Sequence, residues 1–314
     1  MGVFFISFAN AKRDLVNNAS PISRLAAIKE KFLNLPCNTV FICASEYNRS
    51  QGGFSWFQFN RWMKKRLNFR LVQVSLKGDK SHTAFGNVIY VRGDKRHLIT
   101  GWGEIDLVPS VQDHESWNNN KAAFVTIGDK RLVVCHLTLS FYEDSIKTKL
   151  LMEELSVVAR LVEDDHTLVV GDFNLVPQMR ALLRRSYPHV IPSLCVKFGS
   201  KDTDISFFCM PHDRVLLKHT TDECIVRIFS DNTASVVSAL DVICGKPPVH
   251  SVTRFLPYGN RVFVPLSYDT RKVVEILKRP MAPTCDKWVS DHFPLFFEFH
   301  ARDLEPRTND FTSK

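Results

Sequence analysis

Five apolar segments of this chain end in, or run into, residue types that hold metal ions and move protons. "VFFISFAN" ends at Asn10, "TVFICASE" ends at Glu46 and "RLVVCHL" carries His136. "TLVVGDFN" ends on Asp172 and Asn174, and "CDKWVSDHFPLFFEF" places Asp291 and His292 ahead of an apolar run. Glu46, Asp172, Asn174 and Asp291 offer hard oxygen donors, which suit Mg²⁺ better than zinc. Asp172 and Asn174 are two residues apart, so on an extended chain their side chains leave the same side. Acids and amides form strands poorly, and an unpaired buried carboxylate is expensive. A turn residue or a helix cap would account for any one of these positions alone. Their agreement points instead to strand ends that meet at one rim, around a cation.

The elements that must build this rim are legible as patterns. Near-continuous apolar runs predict strands covered on both faces, as in a layered α/β protein. Helical patterns fall between them, at about 20–34, 54–68, 144–163 and 177–186. "SIKTKLLMEELSVVARLVEDD" has clear 3.6-residue periodicity.

With 314 residues, 45% of them hydrophobic, the chain can bury a large core. No linker, repeat or low-complexity block divides it, so residues 1–302 are expected to form one catalytic domain and 303–314 a flexible tail. The net charge of +8 favours polyanionic partners: nucleic acid, phosphorylated metabolites or an anionic membrane surface. The N-terminus "MGVFFISFAN" lacks the features of a signal peptide, and no run reaches the ~18 apolar residues of a membrane span. An intracellular protein, cytoplasmic or nuclear, is therefore expected. The eight cysteines contain no C-x-x-C and read as buried thiols rather than zinc ligands or disulfides.

The ordered set of Asn10 in "SFAN", Glu46 in "CASE", His136 in "CHL", "GDFN" at 171–174 and "SDHFPL" at 290–295 resembles the endonuclease/exonuclease/phosphatase superfamily, the DNase I-like proteins. The resemblance covers the chain from about 3 to 300. It implies a four-layer α/β sandwich: two mostly antiparallel β-sheets packed face to face, with helices outside. It implies Mg²⁺, or Mn²⁺ in its place, held mainly by Glu46 with help from Asn10 and Asp291. Asp172 resembles the residue that orients or deprotonates the attacking water, and Asn174 its hydrogen-bonding partner on the phosphate. His136 and His292 resemble the pair that contacts the scissile phosphate, and Asn10 a further substrate contact. An Asp that orients the last His is expected at Asp213 in "MPHDRVLLK", with Asp241 in "ALDVI" as its rival. The sequence departs from the family at Ser45, where a Gln is usual, at Ala9 before Asn10, and in having no Arg in the helix after His136. The span from Asp213 to Asp291 is long and reads as an insertion, or a substrate-specific loop, within 220–285.

"FSWFQFNRWMKKRLNFR", 54–70, mixes aromatics with Arg61, Lys64, Lys65, Arg66 and Arg70. It reads either as a nucleic-acid surface or as an amphipathic helix burying Phe59, Trp62, Met63 and Leu67. Lys64, and Arg180 just after "GDFN", are candidate grips on flanking phosphates. The function implied is a Mg²⁺-dependent phosphodiester hydrolase, a nuclease on RNA or DNA with no obligate protein partner. The rivals are an inositol-phosphate or phosphoinositide phosphatase of the same fold and an inactive nucleic-acid-binding scaffold.

Overall fold

Strand-forming runs and amphipathic helices alternate along the chain in the computed structural model. It describes residues 1–8, 21–48, 56–77, 85–109, 120–138, 145–174, 225–230, 233–238, 241–245, 249–256, 261–263, 289–290, 292 and 294–301. The strands are β1 (Gly2–Ser7), β2 (Thr39–Asn48), β3 (Phe69–Lys77), β4 (Phe85–Arg92), β5 (Ile99–Asp106), β6 (Lys121–Ile127) and β7 (Lys130–His136). They continue with β8 (Thr167–Asp172), β9 (Ile225–Ser230), β10 (Thr233–Ser238), β11 (Asp241–Gly245), β12 (Val249–Arg254) and β13 (Leu295–Phe299). The helices are α1 (Pro21–Phe32), α2 (Trp56–Arg66) and α3 (Ser145–Glu163). Three of the expected helices are therefore present; the fourth, at 177–186, lies outside the described residues, as does 302–314.

One sheet has the order β12–β13–β1–β2–β4–β3 and the other β11–β8–β7–β6–β5. Pairing is antiparallel throughout both, except for β1 with β2 and β7 with β8. A parallel pair needs a crossover. α1 lies between β1 and β2 in sequence, and α3 between β7 and β8. The crossovers bring the C-terminal ends of each central pair to one edge of their sheet.

Alternation within the strands separates two cores. Val3, Phe5, Phe41, Cys43, Ile89 and Val91 pack against Val125, Leu132, Val134, Leu168, Val170 and Ile243 of the facing sheet. Their neighbours Phe4, Ile6, Ile42, Ala44, Val88 and Tyr90 point the other way, onto Ile28 and Phe32 of α1 and Phe59 and Met63 of α2. α3 covers β8 and β11 on the outside of the second sheet. The expected four-layer sandwich is what forms, and its strands read as continuous apolar runs because both faces are covered.

The span 220–285 contributes β11 and β12, the outer strands of the two sheets, so this part is integral to the sandwich. β9 and β10 pair only with each other among the described residues. Cys43 and Cys135 are buried as expected, but Cys37 is exposed. It sits in the tight turn before β2, closed by Thr39 N–H and Oγ1–H donating to the Pro36 carbonyl at 3.0 and 2.6 Å. Among the described residues no helix is long and apolar enough to cross a membrane.

Lys31 of α1 is only 3% exposed. Its Nζ donates to the carbonyls of Val262 at 3.0 Å and Leu256 at 3.4 Å and lies 4.9 Å from the Phe263 ring centroid. Burial lowers its pKa from 10.5 to about 8. The folded state then sheds its proton before the unfolded chain does, so stability rises with pH between these values. Relative to Lys31→Met, the wild type should gain about 2 kcal/mol between pH 7 and pH 10 in urea unfolding. A difference independent of pH would contradict this account of Lys31.

Candidate active site

The parallel pairs place Ser7, Ser45, His136 and Asp172 at matched heights, Ser7 opposite Ser45 and His136 opposite Asp172. The ladder then runs one step past each pair. Phe8 N–H donates to the Ser45 carbonyl at 3.0 Å, and Leu137 N–H donates to the Asp172 carbonyl at 2.8 Å. Gly171 is required by this closeness: a Cβ there would lie 2.1 Å from the Cys135 carbonyl oxygen.

Glu46 reaches the rim through an irregularity. The register of β2 with β4 shifts between Ala44 and Tyr47, and Glu46 has φ 55°. A bulge with a non-glycine residue in the left-handed region re-aims the side chain it carries. The Glu46 carboxylate thereby crosses to the other sheet, with Oε1 3.7 Å from His136 Nε2.

Asp172 is 1% exposed, and its two oxygens do different work. Oδ1 accepts the Asn174 N–H at 2.9 Å, an Asx turn that draws Asn174 back, with φ 49°. Oδ2 lies 3.5 Å from His136 Nε2 and 3.7 Å from His292 Nε2. Asn174 Nδ2 donates to the Leu137 carbonyl at 2.8 Å, which fixes the orientation of its amide, and stands 3.1 Å from His136 Nε2. His292 is set by a chain of hydroxyls. Its N–H donates to Ser290 Oγ at 2.9 Å, Ser290 Oγ–H donates to the Ser7 carbonyl, and Ser45 Oγ–H donates to Ser7 Oγ at 2.8 Å.

Glu46, His136, Asp172, Asn174 and His292, expected together from the sequence, are thus brought together. Asn10, Arg180, Asp213 and Asp291 lie outside the described residues. Asp241, the rival to Asp213, is the register partner of Asp172. Lys64 is not brought to the rim. It is exposed in the last turn of α2, close to the start of β3, while Lys77 at the other end of β3 lies level with Phe85 and Asn48. At ~3.3 Å per residue that separation is roughly 25 Å. The carboxylates and amide are the donor types a hard divalent cation prefers. Among the described residues no group of three or more His, Cys, Asp or Glu is placed to hold a metal ion.

Sequence reasoning missed a buried network behind His136. Glu154 of α3 is fully buried, yet its Oε1 accepts Asn120 Nδ2 at 2.6 Å and Thr138 Oγ1 at 2.7 Å, and its Oε2 accepts the Thr138 N–H at 2.6 Å. Asn120 Nδ2 also donates to the His136 carbonyl at 2.7 Å. The network clamps the backbone on either side of the histidine. Its signal was an acid on the apolar stripe of α3, beside Leu151, Leu155 and Val158. Burial, with the nearby Glu154 and Asp172 charges behind it, pushes the Cys135 thiol far up, so this cysteine is no nucleophile.

No family model matches the chain, and no curated protein does. Solved structures do. The human Nocturnin catalytic domain with bound sulfate superposes with a TM-score of 0.53 at 14% identity, over 96% of this chain and 93% of that one. D. rerio TDP2 complexed with single strand DNA product gives 0.51 at 14%, over 96% and 99%. An endonuclease/exonuclease/phosphatase family protein from Leptotrichia buccalis C-1013-b gives 0.50 at 14%, over 96% and 100%. This chain has the endonuclease/exonuclease/phosphatase fold. In that fold's terms, the rim described above is where the central strands of both sheets end.

Glu154→Ala should lower stability by about 2–4 kcal/mol, because Asn120 and Thr138 lose a charged acceptor in the interior. If the network positions His136, turnover in the folded variant should also fall by about 10-fold or more with KM little changed. Urea unfolding and steady-state kinetics below the melting point check both. Unchanged stability would contradict the assigned network.

Proposed function

We propose that the chain is a metal-dependent phosphoric-ester hydrolase, and that its substrates are nucleic acids. The observation that carries this reading is the Asp172 carboxylate, which stands within 3.7 Å of two imidazoles contributed by segments of opposite sheets. A buried carboxylate at hydrogen-bonding reach of the site is suited to take a proton from water. Asn174 and the two histidines offer donors for charge that develops on a phosphate. Mg²⁺ or Mn²⁺, held by Glu46 with Asn10 and Asp291, would polarise the phosphate oxygens. Asp213 and Asp241 are the two acids proposed as partners for His292; Asp241 is the register partner of Asp172.

The substrate class rests on charge and likeness. The net charge of +8 suits a polymer of phosphates. TDP2, which shares the fold, is seen with a single strand DNA product.

Cleavage of single- and double-stranded RNA and DNA, a poly(A) oligomer and an inositol polyphosphate, each with Mg²⁺ and with EDTA, tests the reading. An oligonucleotide should be cut only with the metal. Asp172→Asn keeps the shape and the turn but loses the base, so single-turnover cleavage should drop about 10²–10⁴-fold at unchanged melting temperature. Wild-type cleavage by folded Asp172→Asn would refute the assignment.

A further inference from the structure

A second concentration of charge sits at the opposite end of the molecule. The last turn of α2 carries Lys64, Lys65 and Arg66, all exposed, and Arg70 follows at the start of β3. The Phe69–Arg92 register pair brings the turn after β4 alongside, with Lys95 half-buried and Arg96 exposed. The two basic turns are locked together. Gly93 N–H donates to the Asn68 carbonyl at 2.6 Å, Asn68 adopts φ 56°, and a Cβ on Gly93 would meet Asn68 Oδ1 at 2.3 Å. In these two segments the one acid is Asp94, and Arg92 Nε already holds it at 2.8 Å. Among the described residues no carboxylate lies within ion-pair distance of Lys64, Lys65, Arg66, Arg70, Lys95 or Arg96, although the Asp94 charge also acts on its neighbour Lys95.

Like charges gathered on a rigid corner repel one another and destabilise the fold, so packing gives no reason for them. A polyanion supplies one. Within 64–71 and 92–96 Phe69 is buried and Leu71 is the one exposed large apolar side chain; the nearest exposed aromatic beyond the second turn along the chain is Trp102 of β5. A membrane would call for more apolar surface, and base readout for aromatic faces. Phosphates spaced along a backbone need neither.

We propose that this corner, formed by Lys64–Arg66, Arg70 and Lys95–Arg96, is a second nucleic-acid surface. It holds the backbone of a long substrate, independent of sequence, roughly 25 Å from the catalytic rim. The choice of polyanion rests on the nucleic-acid reading of the rim; the surface itself does not.

The test is a triple variant, Arg66→Gln with Lys95→Gln and Arg96→Gln, chosen because these side chains lie away from the rim. Binding of a labelled oligonucleotide of about 30 nucleotides is followed by anisotropy in EDTA as salt is raised. The variant should bind about ten-fold or more weakly at low salt, with a log–log salt slope shallower by about three. Its melting temperature should hold or rise, because repulsion is relieved. Hydrolysis of a dinucleotide, too short to reach the corner, should not change. Unchanged affinity and slope would overturn the proposal. So would loss of binding to phosphatidylserine vesicles with nucleic-acid binding intact, which would make this a membrane surface. If no phosphoester is hydrolysed by the wild type, the rim reading fails, and the binding result still decides the corner.

Discussion

A carboxylate buried between two β-sheets has to be met by donors, and most of this structure can be read as the means of meeting Asp172. One oxygen is taken by the backbone of Asn174, two residues on. The other faces imidazoles from β7 and from the segment before β13, elements that belong to different sheets. Removing water from such a group is expensive unless the surrounding dipoles are fixed in place. Fixing them requires that both sheets end at the same rim, and that the residues behind each histidine do not move.

Two features of the fold satisfy that requirement. Each antiparallel sheet contains one parallel pair at its centre, and a parallel pair delivers two C-terminal ends to one edge. Phe8 donating to Ser45 and Leu137 donating to Asp172 extend the two ladders in the same way. Behind this geometry stand the polar anchors. The serine chain from Ser45 to Ser290 sets His292, and Glu154 with Asn120 and Thr138 sets His136. Both oxygens of the buried Glu154 carboxylate accept hydrogen bonds, while the Asn120 Oδ1 beside it is buried without a hydrogen-bond partner among the described residues.

Much of this was legible from residue types. Apolar runs ending in Glu46, His136 and Asp172 marked strand ends, and the pattern of Phe59 and Met63 against Lys64 and Lys65 marked the buried face of α2. Local geometry was not. Asp172 and Asn174 do converge, but through an Asx turn with Asn174 in the left-handed region, rather than by the alternation of an extended strand. Glu46 reaches the other sheet because of a bulge, which depends on pairing with β4 and leaves no mark in "TVFICASE". Lys64 was expected to border the site, beside the cleaved phosphate, yet the direction of α2 carries it to the far end of the sheet. Helix direction is a property of topology, and spacing along the chain does not encode it.

The central claim is that Glu46 from one sheet and Asp172 from the other act as parts of one catalytic unit. A double-mutant cycle in single-turnover cleavage tests it most directly, using Glu46→Gln, Asp172→Asn and the pair combined. Groups that act as a unit are strongly non-additive, so the double variant should be scarcely slower than the slower single variant. Losses that multiply, with all three proteins folded, would mean that the two carboxylates work independently, and would contradict a shared site at the meeting of the sheets.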